Sequence, residues 1–521
     1  MARRVPMFHA PRRAGRRRRL SWAAMGCAPV LVLGGTLLGH EIGDRHDSGV
    51  RLAANSEITL IGHGLGHGRG MGQWGAFGYA KQGWSSAQIL SHFYGGTTAG
   101  KVDNPPVTVV LTERDVVNVH ADAGMRVGNQ VVAPGQAVRL SGSTATITAG
   151  CGGAVVSTVT APNGLVSPVN AGANRPANEW LKFCGNNDAF RGSLGYNPSG
   201  DVINVLSVDD YVKGVTPREA LPVWGDQGGT EALKAQAVAA RSYVLAAMNR
   251  GKVIDDTQNS QVYGGASGED PRTNAAADAT AGQVLNGTDG KPAFTEFSSS
   301  TGGYSAGVGF PAAVDDGDAL SPNHNWTAQV SAASIGSAFG VGQLTDIAVT
   351  KANGLGAEFG RALEVRVTGT GGTVTVTGDQ ARTKLQLKSA WFSIAGQPKP
   401  QIVAPSAGVS SGSGPAATLP GDISIPGLGS LGSVSDLVNA ATTAIAAKVA
   451  ELGGTNGALG QALGPVLALP GLPGAVQAFQ NGNVYFSQDT GAHALIGQAL
   501  QAFLAQGAQL VKGFPAADQL N

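Results

Sequence analysis

Cysteine is scarce in this sequence, with three among 521 residues, and one of the three, Cys27, falls in the N-terminal leader. No CxxC pair is present. The His-x-x-x-His spacing of His63 and His67 lies in a glycine-rich stretch with no acidic residue nearby, so neither a metal site nor a cofactor is expected. Net charge is almost absent too, at +1 from 36 basic and 35 acidic residues. That balance hides an asymmetry: Arg3, Arg4, Arg12, Arg13 and Arg16 to Arg19 crowd the first twenty positions. A basic arm can serve nucleic acid, but this one runs into an apolar stretch at 20–39, the order of a secretory leader. Export to the cell wall or the outer face of the membrane is expected, with no nucleic-acid partner. A stretch of about 20 apolar residues can also anchor in a bilayer, so residues 1–50 read as a signal peptide or an anchor. In an oxidising compartment, Cys151 and Cys184 are expected to form one disulfide.

The length suits two or three domains. Residues 57–98 are rich in glycine and histidine and then turn helical, with Ser85 as N-cap of a helix reaching Phe93. Short alternating runs follow, such as 107–111, 137–140 and 144–148, and mark a β-rich subdomain over about 104–200. Residues 231–249 are dense in alanine, leucine and valine after Thr230 as N-cap, and predict a buried central helix. Strands at 363–367 and 373–376 and a helix near 379–387 complete a mixed α+β domain over 57–395. Residues 396–435 collapse to proline, glycine, serine and alanine and read as a linker. The remaining 436–521 form a helical segment and a small module.

Two stretches carry candidate chemistry. In Gly62-His63-Gly64-Leu65-Gly66-His67-Gly68-Arg69-Gly70-Met71-Gly72-Gln73-Trp74-Gly75-Ala76, alternating glycines permit close backbone approach. His63, His67, Gln73 and Trp74 offer hydrogen bonds and a stacking face for sugars, although a tight structural loop fits the pattern equally. In the second stretch, Glu219 stands among apolar and proline residues in Val215-Thr216-Pro217-Arg218-Glu219-Ala220-Leu221-Pro222. Partial desolvation there would raise its pKa, as a general acid requires. Gln236 lies five residues before Arg241 on the following helix, on a neighbouring face. From spacing alone, a surface glutamate and a helix-terminal arginine are the plainer reading.

These segments, with Gln261-Val262-Tyr263-Gly264-Gly265, Phe297-Ser298-Ser299-Ser300-Thr301-Gly302-Gly303 and Gly378-Asp379-Gln380-Ala381-Arg382-Thr383-Lys384-Leu385, resemble the SpoIID/LytB family of peptidoglycan-acting proteins over residues 57–394. The resemblance implies a SpoIID-like catalytic domain with Glu219 and Arg241 as catalytic residues. Gln261, Tyr263, Ser299 and Ser300 join His63, His67, Gln73, Trp74 and Gln236 as substrate-binding candidates. It implies an exported lytic transglycosylase that cuts between N-acetylmuramic acid and N-acetylglucosamine with a 1,6-anhydro product. The alternative is a non-catalytic, peptidoglycan-binding enhancer of a cell-wall amidase. Three departures stand out. The glycine-histidine motif precedes the glutamate, as in a circular permutation of the sporulation branch. The zinc-holding cysteine and histidine of some members are replaced by Asp255-Asp256-Thr257-Gln258-Asn259-Ser260. Gly72 replaces the usual serine, and 226–229 reads as extra loop. The tail, Phe479 to Ala494 with Gly513-Phe514-Pro515, resembles one LGFP repeat, a module of actinobacterial wall proteins, and implies attachment to a wall polymer.

Overall fold

A computed structural model describes residues 56–170, 172, 175–405, 434–462, 466–469, 473–505 and 513–520. The basic leader and residues 406–433 of the expected linker lie outside the described residues. Among those described, no helix is long and apolar enough to cross a membrane.

The helical core is built on α4 (Thr230–Asn249), whose small side chains let neighbours approach on several sides. Around it pack α1 (Gln73–Lys81), α2 (Ser86–Phe93), α3 (Val208–Glu219) and α5 (Pro271–Ala279). Local caps fix where these helices start. Ser85 and Gln88 form a reciprocal capping box on α2, and the Ser207 hydroxyl accepts the Asp210 N–H at the head of α3. Gly229, not Thr230, occupies the N-cap position of α4.

The β-rich region forms a six-stranded and a seven-stranded sheet. It is not a bead on a string. Strand Ile254–Asp255, which follows α4, pairs in parallel with Pro106–Val110 inside the seven-stranded sheet. One apolar core runs from Val107, Val119 and Leu181 through to Tyr211 and Val244 of the helices. Cys151 and Cys184 are bonded, closing a loop between positions 33 apart. On the chain-entropy account such a closure stabilises the fold by about 3 to 4 kcal/mol.

Strand Glu57–His63 lies between Asn325–Ser331 and Phe392–Ile394 in an antiparallel sheet. Beyond it, Leu344–Ala352, Ala362–Gly369 and Gly372–Thr377 pack on α6 (Ala332–Phe339) and α7 (Gly378–Leu385). The expected linker starts too early: Gln401–Ile402 pairs in parallel with Lys351 and Ala352, so the body extends past 395. Backbone hydrogen bonding captures this polar, proline-flanked segment despite its composition.

In the C-terminal module, α8 (Val434–Glu451) covers one face of a four-stranded antiparallel sheet and α9 (Gly497–Ala505) follows it. The module shares a buried cluster with the body, in which Tyr304, Leu355 and Trp391 meet Leu469, Val476, Tyr485 and Leu495. The Tyr304 hydroxyl donates to Asn483 Oδ1 at 3.1 Å within this cluster.

Candidate active site

Glu219 is the last residue of α3. Pro217, which has no N–H to give the helix, sits in the final turn, and Leu221 precedes Pro222, so the chain leaves helical geometry at Ala220. The carboxylate is thereby held at the negative end of a helix, where the backbone dipole disfavours a second negative charge. Burial pushes its pKa above the ordinary glutamate value. Two hydrogen bonds that favour the charged form oppose this: Val262 N–H donates to Oε1 at 2.9 Å, and the Gln73 side chain contributes a second. No ion pair reaches Glu219 among the described residues. It is a desolvated carboxyl restrained by neutral donors.

The surroundings are carboxamides. Gln73 Nε2 donates to Gln236 Oε1 at 3.4 Å, which joins the glycine-histidine stretch to α4 beside Glu219. Tyr211 donates its hydroxyl to Gln261 Oε1 at 3.1 Å. The Nε2 groups of Gln236 and Gln261 are buried without a partner among the described residues. Such donors are costly when unsatisfied, and both lie near the Glu219 carboxyl. Trp74 borders the same region, edge-on to Trp224 at 5.2 Å, and Trp224 stacks on Phe77.

The glycine stretch is packed closely against residues 296–301. Leu65 exchanges backbone hydrogen bonds with Ser300, and Trp74 N–H donates to Ser299 O, so residues 62–74 run along 296–301. Gly64, Gly66, Gly68 and Gly70 all have positive φ, and at Gly70 a Cβ would come within 1.9 Å of Glu296 O. The glycines therefore permit close approach to Thr301, Ser298, Arg361 and Glu296 in turn. His67 is driven down to about 3, first by burial and then by Arg69, Arg361 and Arg382. Its Nδ1 accepts the Arg69 N–H at 2.9 Å, so the neutral ring carries its proton on Nε2 and offers a donor. His63, held to about 4 mainly by burial, sits against Trp391 with Nδ1 on Asn325 Oδ1 at 2.7 Å. Neither imidazole hydrogen-bonds to Glu219. A serine at position 72 has no room, because a Cβ there would lie 2.4 Å from Asp315 Oδ2.

Arg241, expected to be catalytic, is placed by the fold among structural contacts. Its guanidinium is fully buried, pairs with Asp209 at 2.7 Å, and donates to the carbonyls of Ala277 and Gln283. It ties the start of α3 to the end of α5, away from Glu219 at the other end of α3. Tyr263 and Ser300 are likewise committed elsewhere. Tyr263 is buried and donates to Asn204 Oδ1, and Ser300 donates to the buried Asp318. Ser299 is half-buried beside Trp74. The loop at 226–229 is held by Arg272, which pairs with Asp226 and Asp270.

Tyr211 and the Val262 N–H escaped sequence reading. The adjacency of Val262 to Gln261 was the available signal for the second.

Comparison with known proteins bears on the same segment. Residues 196–286, which include Glu219, Gln236 and Gln261, match the family model of the stage II sporulation protein SpoIID. Residues 459–509 match the LGFP repeat. An uncharacterized protein of Brachyspira hyodysenteriae is 38% identical over 130 residues, 23% of this chain and 34% of the relative. A protein of Bacillus subtilis named amidase enhancer is 37% identical over 126 residues, 23% of this chain and 17% of the relative. The chain thus spans about a third and about a sixth of these relatives. It carries a SpoIID domain and, near its C-terminus, an LGFP repeat.

Proposed function

We propose that the protein is an exported cell-wall protein that cleaves peptidoglycan glycan strands as a lytic transglycosylase, with Glu219 as the acid and base. The observation that carries this is the Glu219 carboxyl itself: half-buried, raised in pKa by desolvation, without an ion-pair partner among the described residues, and bordered by carboxamides with unused donors. Hydrolysis would ask for a second carboxylate to activate water or attack carbon. Intramolecular transfer asks for one. The Glu219 acid gives its proton to the glycosidic oxygen as the bond to C1 of muramic acid breaks. The resulting carboxylate takes the proton of the C6 hydroxyl as O6 bonds to C1. The carboxyl is restored and no water is consumed. Gln236 and Gln261 supply donors for acetamido or hydroxyl oxygens, with His67 and Trp74 as the sugar-facing wall.

A second reading has its own support in the relative named amidase enhancer: the same cleft grips glycan without cutting it, and a cell-wall amidase is the partner that profits. One digest separates the two. Purified protein and sacculi should release 1,6-anhydromuramic ends visible by mass spectrometry, and Glu219→Gln should remove them. If neither protein releases such ends while an added amidase works faster with both, the enhancer reading stands.

A further inference from the structure

We propose that the cleft between residues 356–360 of the body and the C-terminal module binds one neutral sugar unit of a wall polysaccharide. The proposal rests on the reading that the protein works in the cell wall, but not on catalysis at Glu219.

The cleft has a volume of about 320 Å³ and takes its two walls from the two parts of the molecule. That lies at the low end of small-ligand pockets, about 300 to 1,000 Å³, and suits one ring better than a chain. Apart from Glu358, its polar lining is carboxamide, from Gln480, Asn481, Asn483, Gln498 and Gln501; the first three already bond within the protein, while its apolar surface includes Phe359. Carboxamides both donate and accept without bringing charge, which matches hydroxyl and acetamido groups. The first turn of α9 also lines this wall, with its leading N–H, that of Gly497, donated to Asn481 O. The lining carries one ionisable side chain, Glu358, and no cation. Lys399, which donates to Asn481, stands outside the lining. An anionic wall polymer would meet the Glu358 carboxylate and no cation in the lining, whereas a neutral sugar needs no counter-charge.

The body's wall is built at a conformational cost. Glu358 and Phe359 are consecutive non-glycine residues at φ 49° and 67°, a backbone region that side chains disfavour. The surroundings enforce it: Asn353 Oδ1 accepts the N–H groups of Leu355 and Arg361 on either side, and Glu358 accepts from Ser393. The outcome is that Phe359 is presented to the cleft.

The test uses the full chain and insoluble sacculi, before and after acid removal of attached polysaccharide, with bound protein measured after pelleting. The variant Gln498→Trp/Gln501→Ala fills and strips a solvent-accessible wall, and its melting midpoint should match the parent's. Its retention should fall at least fivefold, while glycan cleavage or amidase stimulation on soluble strands stays within twofold. N-acetylglucosamine tetramer or the released neutral polysaccharide should compete, and free stem tetrapeptide should not. Retention on stripped sacculi assigns the sugar to the glycan strand, and its loss assigns it to the attached polymer. The proposal is overturned by unchanged retention of the variant, by competition from the tetrapeptide, or by parent retention no better than serum albumin. A silent Glu219 site would leave each of these readings intact.

Discussion

At the first turn of α3, Asp209 lies where backbone N–H groups favour an anion, and it is paired with Arg241 and bonded by the Gly282 N–H. At the last turn of the same helix, Glu219 lies where carbonyls disfavour an anion, and neutral groups alone hold it. Both carboxylates are largely out of water. The difference between them is compensation: Asp209 and Arg241 neutralise each other and brace the fold, whereas Glu219 has no cation beside it and burial raises its pKa. Buried charge identifies neither role until the partners are counted.

Exchanging the two environments' chemistry should separate activity from stability. Glu219→Gln should lower the release of anhydro ends by about 10²- to 10⁴-fold, the usual worth of a general acid, without lowering the urea midpoint. Because the folded-state pKa is raised, the parent loses stability as pH climbs from the ordinary glutamate value of 4.5 toward the raised one. The glutamine variant lacks that loss, so it should melt slightly higher at neutral pH and like the parent under acid. Arg241→Met should do the reverse. It strands Asp209 and should cost about 3 to 5 kcal/mol in urea unfolding, while the folded fraction keeps its specific activity. Loss of specific activity in folded Arg241→Met would return that arginine to the catalytic group. Asp209→Asn retains an acceptor for the guanidinium and should cost about 2 kcal/mol. The smallest effect is on the pH profile. Gln73→Leu removes a bond that favours the charged form of Glu219, so the alkaline limb of activity should move to higher pH. A move to lower pH would show that Gln73 does not act on the acid.

Much of the local structure was legible, because its signals are local. Ser85 and Gln88 announce a capping box, the alanine-rich run at 231–249 announces a helix, and alternation at 137–148 announces strands. The start of the linker was misread at Gln401–Ile402, where a neighbouring strand supplies bonds that composition does not reveal. In the site, periodicity could not bring Gln73 to Gln236 across 163 positions. The family resemblance singled out Glu219, and burial now gives that residue a physical reason. The placement of Arg241 was not legible, because its partner, Asp209, is 32 positions away at the other end of the helix that carries Glu219. The partners of Tyr263 and Ser300 were hidden for the same reason: a hydroxyl's partner is a tertiary fact.

The buried cluster that joins Tyr304 and Trp391 to Tyr485 and Leu495 makes the C-terminal module a thermodynamic part of the body. Heat should melt both in one calorimetric transition. Ending the chain at 405 would lay the indole and the phenol open to water, so truncation would yield a sticky, weakened remnant where a tethered-module picture promises an intact enzyme.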